Sequence, residues 1–173
     1  SLDPALSTDV PTGEMVTLLF DGLTQFDPDG RLLPGLADRW RAERNGQRYV
    51  FHLRPGVKFH DGRPFVAADV KRSFLRVLDP ATRGGRVWPL QPIAGAEGIE
   101  VLGDTAVAFT LVEPLAVFPK FLAMPVAAIV PAPVPADFGQ RPVGTGPWRF
   151  AAWRHDDELK FARHPAYWGG SPA

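Results

Sequence analysis

The side chains that could do chemistry in this 173-residue chain are few and scattered. Histidine is the commonest metal ligand, and the chain has four, at His52, His60, His155 and His164. None is separated from another by the His-x3-His spacing that places two imidazoles on one helical face. The sequence therefore predicts no metal site.

His60-Asp61 is the pair that most resembles catalytic machinery, a histidine base oriented by a carboxylate. Such a pair also needs a positioned nucleophile, and none is evident in a chain without cysteine. Asp61 is better explained by the tight turn that it forms with Gly62, because both residue types suit turn backbones. We predict a structural role for the pair and no catalytic residues.

Two other motifs invite a ligand. Gly144-Thr145-Gly146 resembles part of a phosphate-binding loop, but it lacks the Gly-Lys-Ser/Thr ending, and Pro147 stands where a helix would have to begin. The acidic run Asp156-Asp157-Glu158 could attract a cation, although a solvated hairpin tip is the favoured interpretation. We therefore predict no cofactor.

Composition excludes several classes of function. Nineteen basic residues balance nineteen acidic ones, so no net field recruits nucleic acid or an anionic membrane. The absence of cysteine excludes disulfides and thiolate metal sites. No apolar stretch approaches the roughly 20 residues of a membrane span. The length suits one domain with a core, or two small ones sharing a sheet.

Alternating apolar residues and turn signals predict antiparallel hairpins. One is predicted between residues 49–53 and 57–59, around Pro55-Gly56. Three more are predicted around Asn45-Gly46, around Gly103-Asp104, and between residues 148–153 and 158–161.

A helix is predicted over Ala67–Leu78. Its apolar residues recur at a spacing that places them on one face, and Asp79-Pro80 ends it because proline cannot continue a helix. Hairpins interrupted by a few helices predict a mixed α/β fold of the α+β kind.

Six blocks in order carry a resemblance to a known family. They are Leu2-Asp3-Pro4, Phe20-Asp21-Gly22-Leu23, and residues 33–40, 51–70, 143–148 and 163–168. Within 51–70 the matching residues are Phe51-His52-Leu53-Arg54, Lys58-Phe59, Asp61-Gly62 and Pro64-Phe65-Val66-Ala67-Ala68-Asp69-Val70. The chain resembles the bacterial extracellular solute-binding proteins of family 5, the dipeptide- and oligopeptide-binding components of ABC importers. Val66 departs from the family, which usually has a threonine there, so a helix-capping hydroxyl is missing.

The resemblance implies a ligand site in the segment 7–11. In peptide-binding relatives this stretch is extended and lines the cleft, and its main-chain groups pair with the ligand backbone as an added strand does. Thr8, Asp9 and Val10 are the implied ligand-binding residues, with an ordinary surface loop as the alternative. Trp88 is a second candidate, because relatives place aromatic side chains of this region near the cleft, although it could equally fill a core.

The resemblance also implies how the chain is organised. Residues 1–21 and 143–173 are expected to form parts of lobe I of a two-lobed periplasmic-binding-protein-like fold, with 22–142 as a subdomain inserted into that lobe. Gly144 and Gly146 are expected to permit a close backbone approach where the chain passes between these parts. The family is much longer, so this chain is expected to be an N-terminal fragment that lacks the second lobe.

The implied function is capture of short peptides, or a related small solute, for delivery to the permease subunits of an ABC transporter. The expected location is periplasmic or extracellular, with a lipid anchor in the full-length protein left open. No enzymatic activity is expected, and the exposed half-cleft is expected to favour self-association. Two alternatives stay open: a ligand-sensing domain of a regulator and, less favoured, a hydrolase.

Overall fold

The computed structural model describes residues 1–82, 86–154 and 157–170. Its helices are α1 (Val10–Leu19), α2 (Ala67–Leu78) and α3 (Phe118–Phe121), and its strands are β1 (Thr24–Phe26), β2 (Leu32–Pro34), β3 (Ala37–Glu43), β4 (Arg48–Leu53), β5 (Ile99–Leu102), β6 (Ala106–Thr110), β7 (Trp148–Arg154) and β8 (Glu158–Arg163). The strands pair antiparallel, which confirms the predicted mixed α/β class. None of the helices in the described ranges is long and apolar enough to cross a membrane.

A four-stranded antiparallel sheet in the order β3-β4-β6-β5 forms the centre of the fold. Two of its hairpins were predicted. Asn45 and Gly46, with φ of 55° and 87°, connect β3 to β4, and Gly103, with φ of 67°, lies between β5 and β6. Positive φ is readily adopted by glycine and tolerated by asparagine, so these residues are reliable signals of chain reversal.

The predicted hairpin between residues 49–53 and 57–59 is wrong. Strand β4 pairs instead with β3 and β6, so that Phe51 lies between Trp40 and Val107. Residues 57–65 form a separate turn, closed by a hydrogen bond of 2.9 Å from the N–H of Phe65 to the carbonyl of Val57. Alternation marks a strand, but contacts distant in sequence decide its partner.

Helix α2 has the predicted bounds. Its predicted apolar face is buried at Ala67, Val70, Phe74 and Val77. The ring of Phe74 stacks on Phe109 of β6, with 5.4 Å between centroids, which fixes the helix on the sheet. Val66 makes no side-chain capping bond, but the Asp69 carboxylate accepts a hydrogen bond of 3.0 Å from the N–H of Val66. Half of a capping box therefore remains.

The predicted hairpin between residues 148–153 and 158–161 is also present, as β7–β8, although His155 and Asp156 at its tip lie outside the described residues. It packs with α1 in a second, smaller hydrophobic cluster. The buried members of that cluster are Leu2, Val16, Leu19, Phe20, Ala128, Val130 and Phe138.

The larger hydrophobic cluster is formed mostly by a different part of the chain. Apart from Ala5, its buried members lie between Leu23 and Ile129. The division between the clusters does not follow the predicted bounds throughout, because Ala128, Val130 and Phe138 of the segment 22–142 lie in the smaller cluster. Assignment of these parts to lobe I and to an inserted subdomain stays a prediction.

Candidate functional site

The segment 7–11 was expected to be extended, but only part of it is. The backbone is extended at Ser7 and at Asp9, but Val10 and Pro11 belong to α1. Asp9 is the N-cap: its carboxylate accepts hydrogen bonds of 2.8 Å from the N–H and 3.0 Å from the hydroxyl of Thr12, and the pKa of Asp9 is lowered by these bonds, chiefly the first. An aspartate cap followed by proline in the first turn signals a helix start, which the expectation of an extended segment overlooked.

One face of α1 forms a wall of a groove of about 400 Å³. The helical residues on this wall are spaced i, i+3, i+4 and i+7: Val10, Gly13, Glu14 and Thr17. The groove is completed by two segments distant in sequence and by the residues before the helix: Arg86, Trp88, Pro89, Met124, Pro125, Val126, Ser7 and Asp9. Sequence patterns could not predict that these separate segments lie side by side. The helical spacing would have identified the α1 residues of the groove if the helix had been predicted.

Three of the four predicted site residues, Asp9, Val10 and Trp88, line this one groove. Thr8 does not line the groove, but it is exposed and lies between Ser7 and Asp9, which do. The N–H and C=O of Thr8 have no hydrogen-bond partner in the described ranges. Unpaired main-chain groups in extended backbone can pair with another chain. Ligand binding by the four residues stays a prediction.

Trp88 does not fill the core, which was the alternative for this residue. It is 49% exposed. The indole and the Phe121 ring make a T-shaped contact, with 5.1 Å between ring centroids and 81° between planes. Such a contact restrains the ring while leaving apolar surface accessible in the groove.

His60 is held by the backbone of the Gly144–Gly146 loop. Its Nδ1 accepts a hydrogen bond of 3.1 Å from the N–H of Gly144, so Nε2 carries the proton and donates to the carbonyl of Gly146 at 3.0 Å. Burial lowers the pKa of His60 to about 4. Asp61 bonds to Arg63 instead, at 2.8 Å. His60 therefore fastens the Gly144–Gly146 loop, Asp61 bonds within its own turn, and the absence of catalytic residues stays a prediction.

The other histidines that the structure describes lie in different surroundings. The Nε2 of His52 lies 3.1 Å from a guanidinium nitrogen of Arg41. His164 is buried against His60, with 5.0 Å between ring centroids. His155 lies outside the described residues. Within residues 1–82, 86–154 and 157–170, no three histidine, aspartate or glutamate side chains cluster closely enough to hold a metal ion.

The glycines of the Gly144-Thr145-Gly146 motif allow the close backbone approach that was expected. A Cβ on Gly144 would lie 2.0 Å from the carbonyl oxygen of Leu19, and one on Gly146 would lie 2.5 Å from the Leu19 carbonyl carbon. The N–H of Gly146 donates to the Leu19 carbonyl at 2.9 Å. The motif therefore fastens the end of α1 and is not a phosphate-binding loop.

A second cavity, of about 830 Å³, lies along β7 and is lined by His60, Asp61, Arg149, Trp153 and their neighbours. None of the predicted site residues lines it. The smaller groove is the better candidate for a solute site, because it combines apolar walls and an exposed aromatic ring with a few polar groups.

Comparison with known proteins places this geometry in context. The family model described as bacterial extracellular solute-binding proteins, family 5 Middle, matches residues 31–173. A glutathione-binding protein of Pectobacterium atrosepticum is 36% identical over 172 residues, which cover 97% of this chain and 33% of that protein. Di/tripeptide-binding protein 1 of Pseudomonas aeruginosa is 37% identical over 174 residues, covering 87% of this chain and 32% of that protein.

The fold has solved counterparts. The structure of Haemophilus influenzae OppA in complex with the peptide RPPGFSPFR matches with a TM-score of 0.92 and 24% identity, covering 98% of this chain and 37% of that one. At this identity the likeness supports the fold alone. The chain spans about a third of the length of the curated relatives that it matches.

Proposed function

The chain belongs to the bacterial extracellular solute-binding proteins of family 5, and from this membership we propose that the full-length protein binds short peptides. In this proposal the groove beside α1 is the part of the peptide site that lies on this chain. The peptide is then delivered to the permease subunits of an ABC importer, and binding takes place in the periplasm or outside the cell.

One observation carries the proposal. Asp9, Val10 and Trp88, which are up to 79 positions apart in sequence, line a single groove beside Thr8, whose main-chain groups have no partner in the described ranges. Free main-chain groups can hold any peptide by its backbone, and an adjacent apolar surface can accept varied side chains. The relatives named for glutathione and for di- and tripeptides agree with a ligand of this class.

Binding without turnover is the favoured activity. The family consists of solute-binding proteins. A hydrolase would need a free base beside a nucleophile. Both ring nitrogens of His60 are already engaged by the Gly144–Gly146 loop, which leaves this histidine unable to take a proton from a nucleophile.

The proposal is tested with the full-length protein. Calorimetric titration with di- and tripeptides should give saturable binding, and mass spectrometry of what co-purifies with the protein should detect short peptides. The expected result is micromolar or tighter affinity for at least one peptide, about −8 kcal/mol or more favourable. Co-purification of a different solute, together with no measurable peptide binding, would overturn the proposal.

A further inference from the structure

The imidazole of His60 joins the turn 57–65 to the Gly144–Gly146 loop through both of its ring nitrogens. One nitrogen accepts a hydrogen bond of 3.1 Å from the N–H of Gly144, and the other donates to the carbonyl of Gly146 at 3.0 Å. A neutral imidazole has one acceptor and one donor nitrogen, whereas a protonated imidazole has two donors. Protonation of His60 therefore sets two N–H groups against each other at Gly144 and breaks that hydrogen bond.

The charged groups around His60 make a proton on its ring unfavourable. The groups that act on this charge are His164, Arg149 and Asp61. The ring of His164 lies 5.0 Å away between centroids, and Arg149 of β7 forms no ion pair with the described residues. The carboxylate of Asp61 is already bound to Arg63, at 2.8 Å. Burial, followed by the positive charges of His164 and Arg149, lowers the pKa of His60 to about 4.

The loop that His60 holds also fixes the end of α1. The N–H of Gly146 donates to the carbonyl of Leu19 at 2.9 Å, and Gly144 lies too close to Leu19 to leave room for a side chain. The ten residues of α1 make a rod about 15 Å long, and its face lines the groove of about 400 Å³. A shift of the last turn of α1 therefore moves a wall of that groove, because a helix transmits displacement along its axis.

We propose that the contacts of His60 with the Gly144–Gly146 loop form an acid-sensitive latch, whose release by protonation of His60 loosens the end of α1 and weakens peptide binding in the groove. This inference rests on the proposed function, because it adds regulation to the same groove. We call these contacts the His60 latch.

The pH range of the His60 latch follows from its two states. In the latched form the pKa of His60 is about 4, and in the released form the exposed ring regains an ordinary value of about 6.5. The latch is therefore complete above about pH 6.5 and is lost as the pH falls toward 4. Between pH 7 and pH 5 these values shift the equilibrium about twentyfold toward release.

The first test measures the affinity of the full-length protein for the tripeptide Ala-Leu-Ala by calorimetry at pH 7, 6 and 5. Affinity should fall between about threefold and about twentyfold from pH 7 to pH 5, because only the latched fraction binds well. In His60→Gln the amide can accept from Gly144 and donate to Gly146 without titrating, so the fall should be less than about twofold. The ratio of the two affinities at each pH cancels the ionisation of the peptide and of other groups.

Two further variants isolate the charge on His60. Arg149→Gln removes a neighbouring positive charge, so the latched form tolerates the proton better and the fall in affinity should be smaller than in the wild type. His52→Gln is the matched control, because His52 lies next to Arg41 on the sheet, and it should keep the wild-type profile. Circular dichroism at each pH shows whether the fold is intact.

The second test needs no ligand. Hydrogen–deuterium exchange of the full-length protein should show that the amides of Gly144, Gly146 and Phe20 lose protection at pH 5 in the wild type but not in His60→Gln. Equal protection and parallel affinity profiles in the two proteins would overturn the His60 latch and leave the proposed function standing. A fall in affinity that appears only together with loss of the fold would overturn it too. Failure to bind any peptide at any pH would overturn the proposed function, whereas the exchange measurement would still decide whether protonation releases the loop.

Discussion

The indole Nε1 of Trp168 donates a hydrogen bond of 2.9 Å to the carboxylate of Asp21, 147 positions earlier in the chain. The hydroxyls of Thr145 and Tyr167 donate to the same carboxylate at 2.8 Å and 3.1 Å. The guanidinium of Arg54 lies 4.3 Å from the centre of the Trp168 ring. Sequence blocks that are far apart along the chain are therefore held together by one acidic side chain.

Asp21→Asn should destabilise the fold. Burial raises the pKa of Asp21, while the bonds from Trp168, Thr145 and Tyr167 oppose that rise. An amide offers one oxygen and places an NH₂ group against donors, so some of these bonds are lost and a buried donor is left unpaired. We expect a loss of about 1–3 kcal/mol in the free energy of unfolding at pH 7, measured by urea denaturation of this chain.

The control for this network is Asp29→Asn, an exposed aspartate in the turn before β2. Its unfolding midpoint should stay within error of the wild type. Equal unfolding midpoints for Asp21→Asn and the wild type would show that the Asp21 carboxylate does not stabilise the packing of these sequence blocks against one another.

Stability should fall in mild acid because of His60. Burial lowers the pKa of His60 to about 4, against about 6.5 in the unfolded chain. Between these values the unfolded state binds a proton that the folded state does not, so stability is complete above pH 6.5 and is lost as the pH falls toward 4. The expected loss is about 2–3 kcal/mol. Burial, and next the guanidinium of Arg149, also lower the pKa of His164, which acts in the same direction.

The pH prediction is checked by urea denaturation at half-unit steps from pH 4 to 8. His60→Gln should flatten much of the slope, whereas His52→Gln, at a histidine next to Arg41 on the sheet, should retain it. An identical slope in His60→Gln and the wild type would assign the acid sensitivity to other groups.

Gly144→Ala should be among the most damaging single methyl additions. The new Cβ would lie 2.0 Å from the Leu19 carbonyl oxygen, and backbone must move to relieve that clash. We expect a loss of about 3 kcal/mol or more in the free energy of unfolding, or failure to accumulate as a folded protein.

Gly13→Ala is the matched comparison, because its Cβ would meet only the Cγ of Pro125, at 3.7 Å. Gly13 lies within α1, where alanine is the better helix former, so this variant should gain about 0.5–1 kcal/mol. Thermal unfolding followed by circular dichroism measures both variants. A tolerated Gly144→Ala would mean that the loop and the end of α1 can separate at little cost.

Thr8→Pro should weaken peptide binding by the full-length protein. Proline removes the N–H of residue 8, and the extended backbone of Ser7 is compatible with a following proline. We expect a loss of about tenfold in affinity if this N–H bonds to the ligand. Thr8→Ala keeps the N–H and should bind as the wild type does. Equal affinities for the two variants, measured by calorimetry, would show that the N–H of Thr8 is not used.

Much of the fold could be predicted from local patterns. Asn45-Gly46 and Gly103-Asp104 marked two hairpins because few residue types accept their backbone angles. The apolar face of α2 marked a helix with the observed bounds. The pairing of β4 was predicted wrongly, because its alternation describes one strand and carries no information on whether the neighbour is 57–59 or β6.

The sequence by itself determined the family, the antiparallel hairpins and the helix on the sheet, since each depends on residues close together along the chain. Only the tertiary structure decided that Glu14, Arg86 and Pro125 share a groove with Asp9 and Trp88. It also decided that one carboxylate joins three distant sequence blocks. The physical reason is that local periodicity records which face of an element is buried, whereas a binding groove depends on which elements meet when the core packs.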